Sequence, residues 1–250
     1  MTQSLTPDTD QRTTDAVTWY CLDFDLLDYR RALDLQHRLV DARRNAALGC
    51  DMLLMLQHPA VFTLGRRGGI ENLRVAPENL KRAGIEIIQV ERGGNITFHG
   101  PGQLVAYLIY DLETAHTGVE TFVHRLEEVM IRTVRDWEIR AARSALNPGI
   151  WVGRRKIGSI GIAIRRGITY HGLALNVNLS LEPFGWINPC GLNGVEMTSM
   201  QVETRGGVVL EDVRATLKGH FQAVFETRLA PLAMDALPES IRRQSGLSGI

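Results

Sequence analysis

The chain has 250 residues, 28 basic and 28 acidic side chains that cancel, and a hydrophobic fraction of 44%. That balance excludes a strong nonspecific pull on nucleic acid or an anionic membrane, and the length suits one domain that needs no disulfide or metal staple. No segment approaches the roughly 18 apolar residues of a membrane span, the polar opening is not a secretory signal, and three cysteines are too few and of the wrong parity for a disulfide framework, so a cytoplasmic protein with free thiols is expected.

Residues 1–16, rich in Thr, Asp and Gln, and 238–250, rich in Ser, Gly and Arg, read as flexible tails around a single domain over 17–237. Val17, Trp19 and Cys21 alternate as in a strand. Leu26, Tyr29, Leu33, Leu39, Val40 and Ala46 share one helical face, which predicts a helix over 26–48. Residues 52–56 and 61–64 read as short strands on either side of His58-Pro59, and 104–110 as another. Thr117 and Glu120 have capping-box spacing before a helix that turns Val119, Phe122, Val123, Leu126, Met130, Val134 and Trp137 inward. Strands return over 150–152, 157–164 and 172–178. A last helix over 211–226 buries Val213, Leu217, Phe221, Val224 and Phe225. Runs of strands broken by a few helices predict an α+β fold, a sheet packed on helices.

Three stretches use residues that folding alone does not require. Residues 92–103 read RGGNITFHGPGQ, where glycines permit positive φ or close backbone approach and Arg92 and His99 add polar groups. Residues 153–161 contain Lys156, which opens an apolar strand; by itself it reads as a surface lysine at a strand edge. In 171–178 alternation puts Leu173, Leu175 and Val177 on one side and Ala174, Asn176 and Asn178 on the other, as in a central strand facing a polar cleft or an ordinary half-exposed strand. None is a nucleotide motif. Lys156 is followed by Ile157 rather than Ser or Thr, and Val105 occupies the third position of the dinucleotide glycine pattern. No histidine pair has zinc-protease spacing, and His116 and His124, around a helix start, are expected to face water. No metal or other cofactor is therefore predicted.

Cys190 sits between Pro189 and Gly191 on an irregular loop, whereas Cys21 and Cys50 read as inert packing thiols. A free thiol of pKa about 8.5 is only a few per cent thiolate at neutral pH, and lowering it by about 1.5 units takes about 2 kcal/mol. A neighbouring cation supplies that. Lys156, Arg92, His99 and His171 are the candidates, and the residues alone do not choose among them.

Together these segments resemble the octanoyltransferases (lipoyl(octanoyl) transferases) that begin protein lipoylation. The resemblance is carried by residues 92–103, KIGSIG at 156–161, HGLALNVN at 171–178, PCG at 189–191 and, more weakly, MTSM at 197–200. It implies the mixed sheet flanked by helices of lipoate and biotin-protein ligases. It implies Cys190 as the acyl-thioester nucleophile and Lys156 as the residue that lowers its pKa and manages the proton. It also implies an acyl site lined by Arg92, Gly93, Gly94, Asn95, Ile96, Thr97, Phe98, His99, Ser159, Ile160, Gly161, Gly172, Leu173 and Ala174. The donor would be octanoyl-acyl carrier protein. The acceptors would be lipoyl domains of 2-oxoacid dehydrogenase complexes and the glycine cleavage H protein, with no nucleic acid and no membrane as partner. The chain departs from the family pattern at Asn95 and Phe98, where glutamine and tyrosine are usual. The competing readings are an ATP-dependent lipoate or biotin ligase on the same fold, a noncatalytic module that holds the carrier or a lipoyl domain, and a papain-like hydrolase with His220 as partner.

Overall fold

A computed structural model describes residues 16–189 and 194–242. Strand β1 (Val17–Leu26) leads into helix α1 (Tyr29–Arg44) through Asp28. The Asp28 carboxylate accepts the Arg31 N–H at 3.0 Å and so satisfies one of the donors that a helix start leaves open. Arg43 and Arg44 lie in the last turn, where the helix dipole favours cations. The chain continues through β2 (Met52–Gln57), β3 (Val61–Leu64), a short α2 (Pro77–Arg82), β4 (Glu86–Gln89), β5 (Ile96–His99), β6 (Gln103–Ile109) and α3 (Val119–Arg135). Then come β7 (Ala142–Arg143), β8 (Gly149–Val152), β9 (Arg155–Arg165), β10 (Ile168–Asn176), β11 (Glu196–Met197), α4 (Met200–Thr204), α5 (Leu210–Phe225), β12 (Thr227–Pro231) and α6 (Glu239–Arg242).

The main sheet has the order β12-β1-β2-β6-β10-β9-β8-β7, with β11 also paired to β9. β1 is parallel to both neighbours, while β2–β6, β6–β10, β10–β9 and β9–β8 are antiparallel. The central strands β6 and β10 are buried at every position, as expected of strands covered on both faces. Helices α3 and α5 contribute Phe122, Leu126, Leu217 and Phe221 to one core, which also holds Leu173 and Leu175 of β10. Helix α1 contributes Leu35 and Leu39 to a second core with Leu54, Tyr107 and Tyr170. A smaller sheet, β4-β3-β5, has its own core of Phe62, Ile96, Phe98 and Phe184. The α+β architecture with a mixed sheet between helices is thus the one expected. Among the described residues no helix is long and apolar enough to cross a membrane.

Four local expectations fail for physical reasons. The first helix is shorter than 26–48, because Leu26 ends β1 half exposed and Ala46 has a φ of 55°, outside the helical region. The capping box does not form. Gly118 takes the N-cap position, and the Thr117 hydroxyl donates instead to Ala115 O at 3.0 Å, leaving Val119 exposed. Asn176 and Asn178 do not face a cleft; their side-chain amides donate to Thr198 O at 2.9 Å and Val208 O at 3.1 Å. Ordered chain also continues past the expected boundary at 237. Ile241 of α6 is buried in the second core, and its carbonyl accepts Arg38 Nη1 at 2.9 Å. One apolar residue in a polar stretch anchors that turn, which composition alone does not reveal.

Candidate active site

β5, β9, β10 and the loop before β8 enclose a cavity of about 180 Å³. At one end is Lys156. Its side chain is wholly buried, against the reading of a surface lysine. Nζ donates to Asn147 Oδ1 at 2.5 Å and Pro148 O at 2.9 Å and lies 5.3 Å from the centre of the Trp151 ring. The loop that holds the ammonium is itself held. Gly149 N donates to Glu127 Oε1 at 2.9 Å, and the other oxygen of that buried carboxylate accepts Arg143 Nε at 3.1 Å. Gly149 has a φ of 127°, and a Cβ there would stand 2.2 Å from Gly158 O, so only glycine fits. Asn147-Pro148-Gly149 is a turn signal in the sequence, and β8 pairs it back across β9, placing it beside Lys156.

The far end is built of buried polar rings. Arg92 is buried, with Nη2 donating to Thr63 O at 2.8 Å and Thr63 Oγ1 at 2.7 Å, and Nη1 to Gly93 O at 3.0 Å. His99 Nδ1 pairs with Gln103 Oε1 at 2.7 Å. His58, behind it, bridges Leu27 O and Tyr107 Oη, each at 2.7 Å. His171 and Tyr29 complete this end. Burial outweighs every other influence on these rings. It pushes His58 down to about 4 and His171 to about 3, the latter helped by the Arg92 charge, and holds His99 well below the usual imidazole range. All three imidazoles are neutral at neutral pH. Tyr29 is pushed up to about 12, also by burial.

Between the ends run the glycine segments. Gly161 and Gly172 face each other in register on β9 and β10. A Cβ on Gly172 would stand 2.2 Å from Ala106 O, and one on Gly161 would stand 3.0 Å from Arg92 Cδ. These glycines serve chain-to-chain packing as well as space for a ligand. Gly93 N donates to Ile162 O at 2.8 Å, which ties the 92–95 segment to the edge of β9.

The structure brings most of the expected site residues together. Arg92, Gly93, Gly94, Asn95, Ile96, Thr97, His99, Lys156, Ser159, Ile160, Gly161, Gly172, Leu173 and Ala174 all line the cavity. Phe98 does not. Strand alternation turns it into the third core, with ring centroids 5.2 Å from Phe62 and 5.7 Å from Phe184. That explains why a phenylalanine is accommodated where the family pattern has tyrosine. Asn95 bonds locally, its Oδ1 accepting Ile96 N and its Nδ2 donating to Arg67 O. Of the candidates for activating a thiol, His99 and His171 are neutral rings at the far end, which leaves them poor sources of positive charge. His116 and His124 are exposed, as expected.

Cys190 lies outside the described residues; the described chain before and after it bonds to the body of the fold. Asn188 N donates to Asn72 O at 2.8 Å, and further along Met197 pairs with Lys156 itself, followed by Thr198 N donating to Lys156 O at 2.9 Å. Cys21 and Cys50 are buried, and burial pushes their thiols up to about 12 and about 11, which suits inert packing residues. Sequence reasoning missed Tyr29, Tyr107, Asn147 and Pro148 as lining residues, and Glu127 and His58 behind them. Only Asn147-Pro148 carried a local signal.

Residues 28–222 match the family model of the lipoyl protein ligase A/B catalytic domain. An octanoyltransferase of Syntrophobacter fumaroxidans is 44% identical over 207 residues, 83% of this chain and 90% of that protein. One from Desulfotalea psychrophila is 46% identical over 186 residues, 74% of this chain and 83% of that one. The chain belongs to the octanoyltransferase family. The same family fold appears in a bipartite lipoate protein ligase from Thermoplasma acidophilum, with a TM-score of 0.70 at 16% identity over 93% of this chain and 91% of that one. It appears again in a lipoate-protein ligase A bound with ATP, at TM-score 0.71 and 16% identity over 92% and 93%.

Proposed function

We propose that the chain is an acyltransferase that moves an octanoyl group from acyl carrier protein to a lysine amine of a lipoyl domain, through a thioester on Cys190. The observation that carries this reading is Lys156, a wholly buried ammonium at one end of a cavity whose walls are the 92–99 and 172–174 segments, in a chain 44% identical to an octanoyltransferase.

The Cys190 thiolate attacks the donor thioester carbonyl, and the carrier thiol leaves and takes a proton. One thioester replaces another, so the step is near balance and needs no ATP. The acceptor amine then attacks the enzyme thioester, forms an amide and loses a proton as Cys190 leaves as thiolate. A cation beside the thiol stabilises thiolate in both steps. Lys156 plays that part and, when neutral, accepts the amine proton; thiol and amine therefore titrate as a coupled pair. Asn147 and Pro148 aim the ammonium, and the anchoring of Met197 to Lys156 supports a short connection between Lys156 and the segment that carries Cys190. Relatives that are ligases use the same fold, but a nucleophilic cysteine has no part in adenylate chemistry.

Intact-protein mass spectrometry after mixing with octanoyl-acyl carrier protein tests this. The expected result is an added octanoyl mass on the wild type, released by hydroxylamine and missing from Cys190→Ser. No adduct, with transfer only from free acid plus ATP, would return the chain to the ligase reading.

A further inference from the structure

His171 is the cavity residue that this chemistry leaves without a task. It lies in β10, paired with Ile162 of β9, yet its φ is 58°, in the left-handed region that a non-glycine residue avoids inside a strand. The regular β6 ladder stops at its neighbour, where Gly172 pairs with Tyr107. The His171 N–H donates instead to Gln36 Oε1 at 2.7 Å, and Gln36 is itself buried and donates to Ala32 O at 3.2 Å. The protein thus holds an unfavourable backbone conformation, and that conformation brings the imidazole to the cavity wall. His171 is 1% exposed, and its ring packs on Tyr107 and Tyr170, with centroids 5.8 and 5.0 Å away. Neither ring nitrogen has a hydrogen-bond partner among the described residues. Two unpaired nitrogens on one buried ring are rare and call for a partner in the cavity.

We infer that His171 gives the acyl cavity a polar end: a ring nitrogen holds a water there, a methyl-ended chain long enough to reach that water is disfavoured, and a chain ending in a hydroxyl takes the water's place. This rests on the octanoyl-transfer reading above. Lys156 and Ile162 are separated by about 20 Å along β9 at ~3.3 Å per residue, so His171, opposite Ile162, marks the end away from the ammonium. A methyl group pushed against the imidazole displaces the water and leaves the nitrogen that held it unpaired, a loss of roughly tenfold or more in rate. A hydroxyl can donate or accept, so it pairs with the nitrogen that faces the chain end whether that nitrogen is bare or carries the proton. His171 is on this account a specificity-determining residue that sets which chain ends are accepted.

The test uses acyl carrier proteins loaded with matched pairs of chains, equal in heavy atoms but ending in methyl or hydroxyl, from the length of octanoyl upward. kcat/KM is measured on the wild type and on His171→Leu. On the wild type, the hydroxyl-ended chain is expected to win by about tenfold or more at the length that reaches His171. In His171→Leu that preference reverses, and methyl-ended chains longer than octanoyl gain by a similar factor. Methyl-ended chains winning at every length on the wild type would overturn the inference, and this arm decides alone if the variant fails to fold. A shift in His171→Gly but none in His171→Leu would make size, not polarity, the determinant and would also overturn it. A wild type that transfers octanoyl with no hydroxyl preference sinks only this inference; one that transfers no octanoyl sinks the reading beneath it as well.

Discussion

The two ends of the cavity solve the problem of a buried polar group in opposite ways. At one end Lys156 is wholly buried, and a hairpin turn brings two neutral oxygens to its ammonium. At the other end three imidazoles sit among tyrosines, and burial strips them of charge. A lysine far from water persists only where acceptors are built to meet it, because an unpartnered ammonium in the interior costs several kcal/mol. A histidine has the cheaper option of staying neutral. The fold therefore spends its supporting structure on the Lys156 end, from Glu127 through Gly149 to Asn147, and lets desolvation tune the other. The first end is equipped to supply charge to a reaction; the second shapes a pocket.

The sharpest way to break this contrast is to remove the ammonium. Lys156→Met keeps the stem and deletes the charge. The rate of acyl-enzyme formation is expected to fall by about 10²–10⁴, the usual range for a group that manages a proton in the reaction. The comparison is made by stopped-time mass spectrometry on the wild type and the variant, with thermal unfolding to confirm that the variant folds. A fall of only a few fold would make Lys156 a packing residue and erase the distinction between the ends.

A smaller effect is expected one step out. Asn147 touches no substrate; it positions Lys156. Asn147→Ala removes one hydrogen bond to a charge, and about a tenfold loss in rate follows. Lost activity alone would not separate positioning from damage to the hairpin, so the pH profile is the deciding readout. Asn147→Asp sets a carboxylate on the ammonium, favours its charged form and should move the profile for acyl transfer to higher pH. An unmoved profile in both variants would show that the amide only holds the turn.

The contrast also explains what the sequence made legible. The glycine segments announced themselves, because positive φ and close approach leave a residue type as a trace, and Gly161 opposite Gly172 is such a case. The sheet was readable from apolar runs such as 104–110, whose burial on both faces leaves no alternation to misread. The burial of Lys156 was not readable. A lysine at the start of a strand looks like an edge lysine until the turn at Asn147 folds back across β9. Phe98 and His99 adjoin in a motif read as a unit, yet strand alternation sends one to the core and the other to the cavity. His58 and Tyr29 are distant in sequence from any motif and meet His99 only through the packing of α1 and the loop after β2, with ring centroids 5.6 and 5.7 Å from it. Residues that act through a shared pocket leave no spacing to find.

The smallest expected effect separates the two ends by their response to acid. His58, His99 and His171 take up protons in the unfolded chain near pH 6.5, but in the folded protein only near 4, well below the usual range, and near 3. Between those limits the unfolded state binds more protons, so stability falls as pH falls. The loss begins near pH 6.5 and is at most about 1.4 kcal/mol per pH unit for each ring; the His58 share ends near pH 4 and the His171 share near pH 3. Above pH 6.5 the rings are neutral in both states and contribute no slope. Asp111 and Glu128, held below the usual carboxylate range, add loss in the same direction only at lower pH, whereas Asp51, raised by burial, takes up its proton earlier in the folded state and opposes the loss. Asp51 is common to the wild type and a His171 variant, so comparing the two from pH 6.5 to about 5 isolates the ring. Urea unfolding across that window should give a steep slope for the wild type and one shallower by up to one proton for His171→Asn, a residue that tolerates the left-handed conformation. Parallel slopes for the wild type and His171→Asn would mean that the ring carries its proton in both states, and the far end would then be a second charged site rather than a neutral one.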